Sequence, residues 1–188
     1  DNRRSRGLGD VYKRQSVKID GDSKKKIKSW KSLKEMKEYL RSEFEKKTSE
    51  WERYGGETYL HFAAYVGDVD ATKRLIEDNA KVNAVNGVKQ TALHFACYGG
   101  HVDVATVLLQ NGADVNAVDE QFQSTALHVV AEKGHLDVAR VLIRNSANVN
   151  AVDEDKWTAL HHAAESGHVD VAKLLLQNGA DVNAVGRW

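Results

Sequence analysis

Cysteine and long apolar runs are both scarce in this chain of 188 residues, and each shortage excludes a class of protein. Cys97 is the only cysteine, so no disulfide can form within the chain, and a single thiol fits a reducing compartment. No apolar run approaches the roughly 18 residues that a membrane-spanning helix needs, and the N-terminus lacks the apolar core of a signal peptide. We therefore expect an intracellular, cytoplasmic protein without a membrane-spanning segment.

Motifs for catalysis and cofactor binding are also missing. The chain has no glycine-rich phosphate loop, no His-Glu-x-x-His sequence and no nucleophilic serine after a strand pattern. Cys97 has no distinctive electropositive setting, so we expect it to be a small core residue. We predict no enzyme activity, no catalytic residues and no cofactor.

The formal net charge is zero, but opposite charges are segregated along the chain. Residues 1–48 contain 16 Lys/Arg against 8 Asp/Glu, a surplus of 8 positive charges. Residues 49–188 contain 11 Lys/Arg against 19 Asp/Glu, a surplus of 8 negative charges. This division indicates a basic arm attached to an acidic domain.

One sequence pattern recurs through the acidic part. A threonine begins Thr-x-Leu-His at Thr58, Thr91, Thr125 and Thr158, spaced 33, 34 and 33 residues apart, and Gly-His-x-Asp closes the last three copies. The fixed period marks a stacked repeat array, and the residues of the motif resemble those of the ankyrin repeat. The resemblance implies an all-α ankyrin-repeat α-solenoid of paired antiparallel helices with finger loops over residues 56–188. The repeats are predicted at about 56–88, 89–122, 123–155 and 156–188.

Each repeat carries signals for two helices. The threonine suits the N-cap of a first short helix, and a later glycine is expected to end that helix in a left-handed conformation. A second helix is predicted from apolar residues at helical spacing that form the face stacked on adjacent repeats, such as Leu108 and Leu176. Gly112 and Gly179 are expected to end second helices. Ser146 stands at the equivalent position of another repeat, where it adopts left-handed geometry less readily.

Two segments are predicted ahead of the array. Residues 1–28 are expected to be a disordered basic lead, of which residues 1–15 look like a translated sequencing adaptor and are expected to be non-native. Residues 29–54 are predicted to form an amphipathic helix that caps the first repeat, because Ser32 and Glu35 form a capping-box pair before apolar residues at helical spacing. A partner-binding or membrane-surface helix is the alternative. A lysine run in the lead also leaves nuclear localisation or nucleic-acid contact open.

The sequence departs from the ankyrin pattern in two places. Proline is absent, so alanine or tyrosine follows each threonine; alanine is an excellent helix former, and little stability is lost. Lys89 and Lys156 stand where the family's finger has glycine, and the third finger, residues 119–124, has one extra residue. The resemblance therefore predicts finger geometry least well.

Histidines are numerous, but seven of the eight occupy repeat positions and only His162 does not. Equivalent residues of adjacent repeats lie about 8–10 Å apart. Ligands of one zinc ion, each at about 2.0–2.1 Å from the metal, must lie within about 4 Å of each other. We therefore predict no metal site and expect the histidines to hydrogen-bond loops and neighbouring repeats.

In ankyrin arrays the finger tips and the exposed ends of the first helices line a concave surface on which partners dock. The matching positions are predicted to bind a partner protein, with the aromatic residues as anchors because aromatic side chains dominate interface hot spots. For Trp157, packing against the neighbouring finger is the competing interpretation. The predicted partner-binding residues are Tyr65, Tyr98, Phe122, Trp157, Lys89, Glu120, Glu132, Lys133, Glu154 and Glu165.

The resemblance implies a monomeric, non-enzymatic protein–protein interaction module. The acidic surplus favours a basic partner segment and argues against nucleic acid on the array. One alternative is the recognition or targeting arm of a larger protein with an enzyme, channel or toxin domain. The chain would then be a fragment, since its last copy stops where another finger should begin. A weaker alternative is that the basic front contacts nucleic acid or an anionic membrane.

Overall fold

The structure is a computed structural model that describes residues 58–187, together with Glu35, Glu38 and Ser42. These three residues are helical and lie within the segment predicted to form the capping helix. The rest of that segment and the predicted lead lie outside the described residues.

Eight α-helices form four successive pairs between residues 58 and 187. Each first helix contacts the first helix of the next pair, and the second helices contact one another in the same order, so the pairs stack as two layers. This stack confirms the predicted all-α solenoid. The pairs are α1 (Tyr59–Val66) with α2 (Val69–Glu77), α3 (Ala92–Gly99) with α4 (Val102–Gln110), α5 (Ala126–Lys133) with α6 (Leu136–Arg144), and α7 (Ala159–Glu165) with α8 (Val169–Gln177).

The first helix of every pair begins at the repeated threonine, as predicted. The histidine three residues later accepts the backbone N–H of that threonine on its Nδ1 atom, at 3.0–3.1 Å. The histidine thus takes the place that glutamate or glutamine has in a capping box. The four N-caps are Thr58, Thr91, Thr125 and Thr158.

Residues in left-handed geometry follow both helices of a pair. The glycine after each first helix has φ between 71° and 76°. After the second helices, Asn79, Gly112, Ser146 and Gly179 take the left-handed position, with φ of 67° at Ser146. The predicted helix ends are therefore confirmed, including the strained one at Ser146.

The second, third and fourth fingers each run between a second helix and the next first helix, and each takes the number of the repeat that it leads into. A left-handed residue lies two positions before the threonine of each: Lys89, Gln123 and Lys156 have φ of 59°, 54° and 63°. The extra residue of the third finger therefore lies between Asp119 and Gln123. Among the described residues, the fingers form only isolated antiparallel bridges, which are Val85–Thr91, Val118–Thr125 and Val152–Thr158.

The core fills the space within and between the pairs. Its largest fully buried apolar side chains are repeated leucines, which are Leu60, Leu93, Leu108, Leu127, Leu142 and Leu175. Leu176, predicted to belong to the stacking face, is instead 46% exposed, because no described repeat packs on that side of α8. In the part of the chain that the structure describes, no helix is long and apolar enough to cross a membrane.

Candidate recognition surface

Three buried histidines link α1, α3 and α5 to the fingers that follow them. We call these residues, His61, His94 and His128, the histidine ladder. Because Nδ1 of each ring accepts a threonine N–H, its proton lies on Nε2, which donates to a backbone carbonyl. The acceptor distances are 3.0 Å to Gln90, 3.3 Å to Ser124, and 3.0 and 3.1 Å to Ala151 and Trp157.

Burial keeps the rings of the histidine ladder neutral. It lowers the pKa of His94 and of His128 to about 4, and the carbonyl hydrogen bonds oppose this only in part. Burial also lowers the pKa of His61. Both nitrogens of each ring are used within the fold, so these residues hold repeats together.

A second set of histidines joins the other ends of the first helices. Nε2 of His101, His135 and His168 donates to the preceding repeat at Tyr65, Tyr98 and Glu132, over 2.9–3.2 Å. These rings also cover the helix-ending glycines, where a Cβ atom would lie 2.5–2.8 Å from a ring atom. The predicted structural role of the repeat histidines is confirmed, and it fixes the ends of α1, α3 and α5.

Two predicted anchors meet at these helix ends. The rings of Tyr65 and Tyr98 stack with centroids 6.4 Å apart and planes 15° apart. Tyr65 is 9% exposed and also meets Phe95 edge-on, so it supports the more exposed Tyr98 from beneath. Offset ring pairs of this kind stabilise a fixed surface.

Lys133 and Glu132 extend the tyrosine pair onto the next repeat. The Nζ atom of Lys133 lies 4.9 Å from the centre of the Tyr98 ring and 3.3 Å from Oε1 of Glu132. Burial raises the pKa of Tyr98 to about 12, helped by Tyr65 and Glu132. Four predicted residues therefore form one group, the tyrosine cluster: Tyr65, Tyr98, Glu132 and Lys133.

The finger residues form a second group beside one another. The Nζ atom of Lys89 lies 3.4 Å from Oε1 of Glu120, and both side chains are more than half exposed. Backbone N–H groups join successive fingers: Glu120 donates to Val88, and Glu154 donates to Phe122, each at 2.8 Å. The fingers are thus spaced by hydrogen bonds that do not depend on side-chain identity.

Trp157 is placed by intramolecular packing. Its ring lies 5.8 Å from that of His161 and 5.3 Å from that of His162, and its Nε1 donates to the carbonyl of Arg187 at 3.2 Å. The contact with Arg187 fits the competing interpretation, packing against the neighbouring finger, whereas His161 and His162 lie on α7 of the same repeat. Glu165 lies exposed at the end of α7, at the repeat position that Glu132 has on α5.

The fourth finger contains a buried pair that the sequence analysis missed. Oδ2 of Asp153 lies 2.9 Å from Nε2 of His162, and both side chains are less than a tenth exposed. Burial acts to raise the pKa of Asp153, but hydrogen bonds from His162 and from the Trp157 backbone bring it below its ordinary value. The available signal was that His162 is the one histidine outside the repeat positions.

A row of exposed valines was also missed. The valine at the base of each finger recurs with the repeat period, and the exposed fractions are high for so apolar a side chain. The row consists of Val85 at 49%, Val118 at 43%, Val152 at 44% and Val185 at 83%.

Metal binding has no structural support in the described part of the chain. No group of three or more His, Cys, Asp or Glu side chains there is arranged to hold a metal ion.

Stacked helix pairs with projecting fingers define a helical repeat solenoid. A family model for ankyrin repeats, in three copies, matches residues 28–119 and 116–185. The chain therefore belongs to the ankyrin-repeat family, whose members are generally protein–protein interaction modules and typically not enzymes. No curated protein matches the chain.

Proposed function

We propose that this array binds a partner protein through one continuous surface, without enzyme activity. The surface comprises the tyrosine cluster, the valine row and the tips of the second, third and fourth fingers. The observation that carries the proposal is the stacked tyrosine pair, which holds Tyr98 half-exposed beside charged side chains.

Tyr98 and Phe122 are the proposed anchors. Both are half-buried by contacts within the protein, so their side chains lose little freedom when a partner binds. Tyr65 acts by supporting Tyr98. Trp157 acts by fixing the fourth finger, since its ring contacts His161 and His162 and its Nε1 donates to Arg187.

The charges favour a partner with a basic segment. Glu120 is paired with Lys89, but Glu154 and Glu165 have no ion pair among the described residues and are exposed. The surplus of 8 negative charges over residues 49–188 points the same way and disfavours nucleic acid on the array. Complementary charges of this kind raise association rates and select partners.

We further infer that the chain works as a monomer in the cytoplasm. Cys97 is buried and burial raises the pKa of its thiol far above the usual range, so the thiol is inert and forms no disulfide with another chain. Sedimentation without reducing agent should give a single species with the mass of one chain.

Partner capture from cell extract tests the surface. We expect Tyr98→Ala combined with Phe122→Ala to lower the recovered partner by at least about tenfold, since central aromatic anchors are typical hot spots. Arg140→Ala, on the exposed side of α6, is the matched control and should leave recovery unchanged. Undiminished recovery by the double variant, with its helical content intact, would contradict the proposal.

A further inference from the structure

Each finger turns around one buried polar residue, at Asn86, Asp119 or Asp153. In the second finger, Oδ1 of Asn86 accepts two backbone N–H groups, at 3.1 and 2.9 Å, and its Nδ2 donates to Oε1 of Gln90. In the fourth finger, Oδ1 of Asp153 accepts two backbone N–H groups, at 3.0 and 2.8 Å, and its Oδ2 pairs with His162. Both residues therefore have partners for both polar ends.

Asp119 in the third finger does not have the same partners. Its Oδ1 accepts the N–H of Phe122 at 2.7 Å, but its Oδ2 has no hydrogen-bond partner among the described residues. Oγ of Ser124, in the same finger, also has none. Asp119 is 1% exposed and Ser124 is 0% exposed, so neither atom reaches water.

Two sequence changes account for this difference. Val129 occupies the helix position that His162 has in the fourth repeat, four residues after the threonine, and an apolar side chain cannot donate to a carboxylate. The extra residue between Asp119 and Gln123 also lengthens the turn, which leaves one strong backbone donor where the other fingers have two. A buried carboxylate in this setting is costly when it is ionised.

The surrounding charges favour the neutral acid. Burial raises the pKa of Asp119 to about 6; the nearby backbone N–H groups of Phe122 and Gln121 oppose this, and Glu154 and Asp153 in the fourth finger raise it further. Toward the second finger, Lys89 pairs with Glu120. From α3, His94 donates to the carbonyl of Ser124, and its ring is neutral.

We propose that the protonation state of Asp119 sets the conformation of the third finger. The neutral carboxyl group holds the finger closed as the structure shows it. The ionised group drives the finger open so that the charged oxygen reaches water. Because Phe122 and Glu120 lie on this finger, opening changes how they are presented to a partner; that consequence alone rests on the proposed function.

Amide hydrogen exchange of the whole chain, without any partner, tests this device. The reporters are the N–H groups of Phe122, which donates to Asp119, and of Glu154, which donates to Phe122. A closed-state pKa near 6 and an ordinary open-state pKa should lower their protection about tenfold between pH 5 and pH 8, after correction for intrinsic exchange. The N–H of Val88 in the second finger should show no such change.

Asp119→Asn and Glu120→Gln form a matched pair of variants. Asparagine already occupies the equivalent position at Asn86, so Asp119→Asn should fold and should hold Phe122 and Glu154 at their low-pH protection up to pH 8. Glu120→Gln, on the same finger, should keep the wild-type pH dependence.

The idea is overturned if wild type and Asp119→Asn show the same protection at pH 8. It is overturned equally if the Asp119 carboxyl carbon titrates near pH 4 by NMR. Neither result would affect the proposal that the surface binds a partner, because no partner is present in either measurement.

Discussion

The histidine ladder makes the same contact in three consecutive repeats, whereas the three fingers form the same backbone bridge with different side chains. The ladder uses both ring nitrogens of buried residues, which leaves no room for variation without loss of stability. The fingers keep the bridge and change the chemistry at Asn86, Asp119 and Asp153. The comparison indicates that the first-helix layer supplies stability, while the fingers supply the side-chain chemistry that differs from one repeat to the next.

Acid should break the ladder first, and this is the largest effect that we expect. The pKa values of His94 and His128 are lowered to about 4 in the folded state, while the unfolded chain titrates near 6.5, so the unfolded state binds more protons between these values. Stability is therefore fully present above about pH 6.5 and falls toward pH 4, by about 3 kcal/mol for each ring.

Urea unfolding at a series of pH values measures this loss. His94→Gln removes one titrating ring. The free energy of unfolding should then fall less steeply with decreasing pH, because about one proton fewer is taken up on unfolding. Asp119 acts in the opposite direction, because its pKa is raised and folding gains stability as the acid becomes neutral below about pH 6. Asp119→Asn should thus steepen the fall. A free energy of unfolding that stays constant from pH 7 to pH 4.5 would refute the neutral ladder.

The second-largest effect on stability is expected when the fourth finger is given the buried surroundings of the third. His162→Val gives Asp153 the apolar neighbour that Asp119 has at Val129, and it leaves a buried carboxylate oxygen unpaired. We expect a loss of about 3 kcal/mol at pH 7, the scale for breaking a buried pair. Glu154→Gln, an exposed carboxylate of the same finger, is the control and should change stability by less than about 0.5 kcal/mol. Equal small effects of both variants would show that the pair contributes little.

The smallest expected effect is a gain in stability at a residue outside the histidine ladder and the fingers. Ser146 follows α6 with φ of 67°, a conformation that glycine adopts without strain. Ser146→Gly should raise the free energy of unfolding by about 0.5–1 kcal/mol. Ser166 has φ of −81°, so Ser166→Gly should give no gain. Destabilisation by Ser146→Gly would contradict the left-handed backbone at this residue.

The period of the sequence was sufficient to predict the ladder and the helix ends. Thr91 and His94 lie three residues apart in one helical turn, so their contact follows from local geometry. The fingers were predicted less well, because their chemistry depends on contacts between separate elements. Asp153 meets His162 nine residues away across a turn and a helix start, and no local pattern marks that pair.

The predicted site residues divide in the same way, into those placed by the repeat and those placed by contacts between separate elements. Tyr65 and Tyr98 occupy equivalent positions, and stacking of adjacent repeats brings their rings together. Trp157 was chosen for its residue type, but the contacts that use its surface come from His161, His162 and Arg187. The exposed valines were overlooked because an apolar residue in a repeat is expected to be buried, and only the structure shows their exposure.

We expect the tyrosine cluster, the valine row and the fingers to act as one recognition surface. Hydroxyl-radical footprinting of the chain, alone and with its captured partner, measures which residues the partner covers. Tyr98, Phe122 and Val118 should become protected, with no change at Leu176 on the exposed side of α8. Protection at Leu176 with Tyr98 and Phe122 unchanged would place the partner on the other layer and rule out this recognition surface.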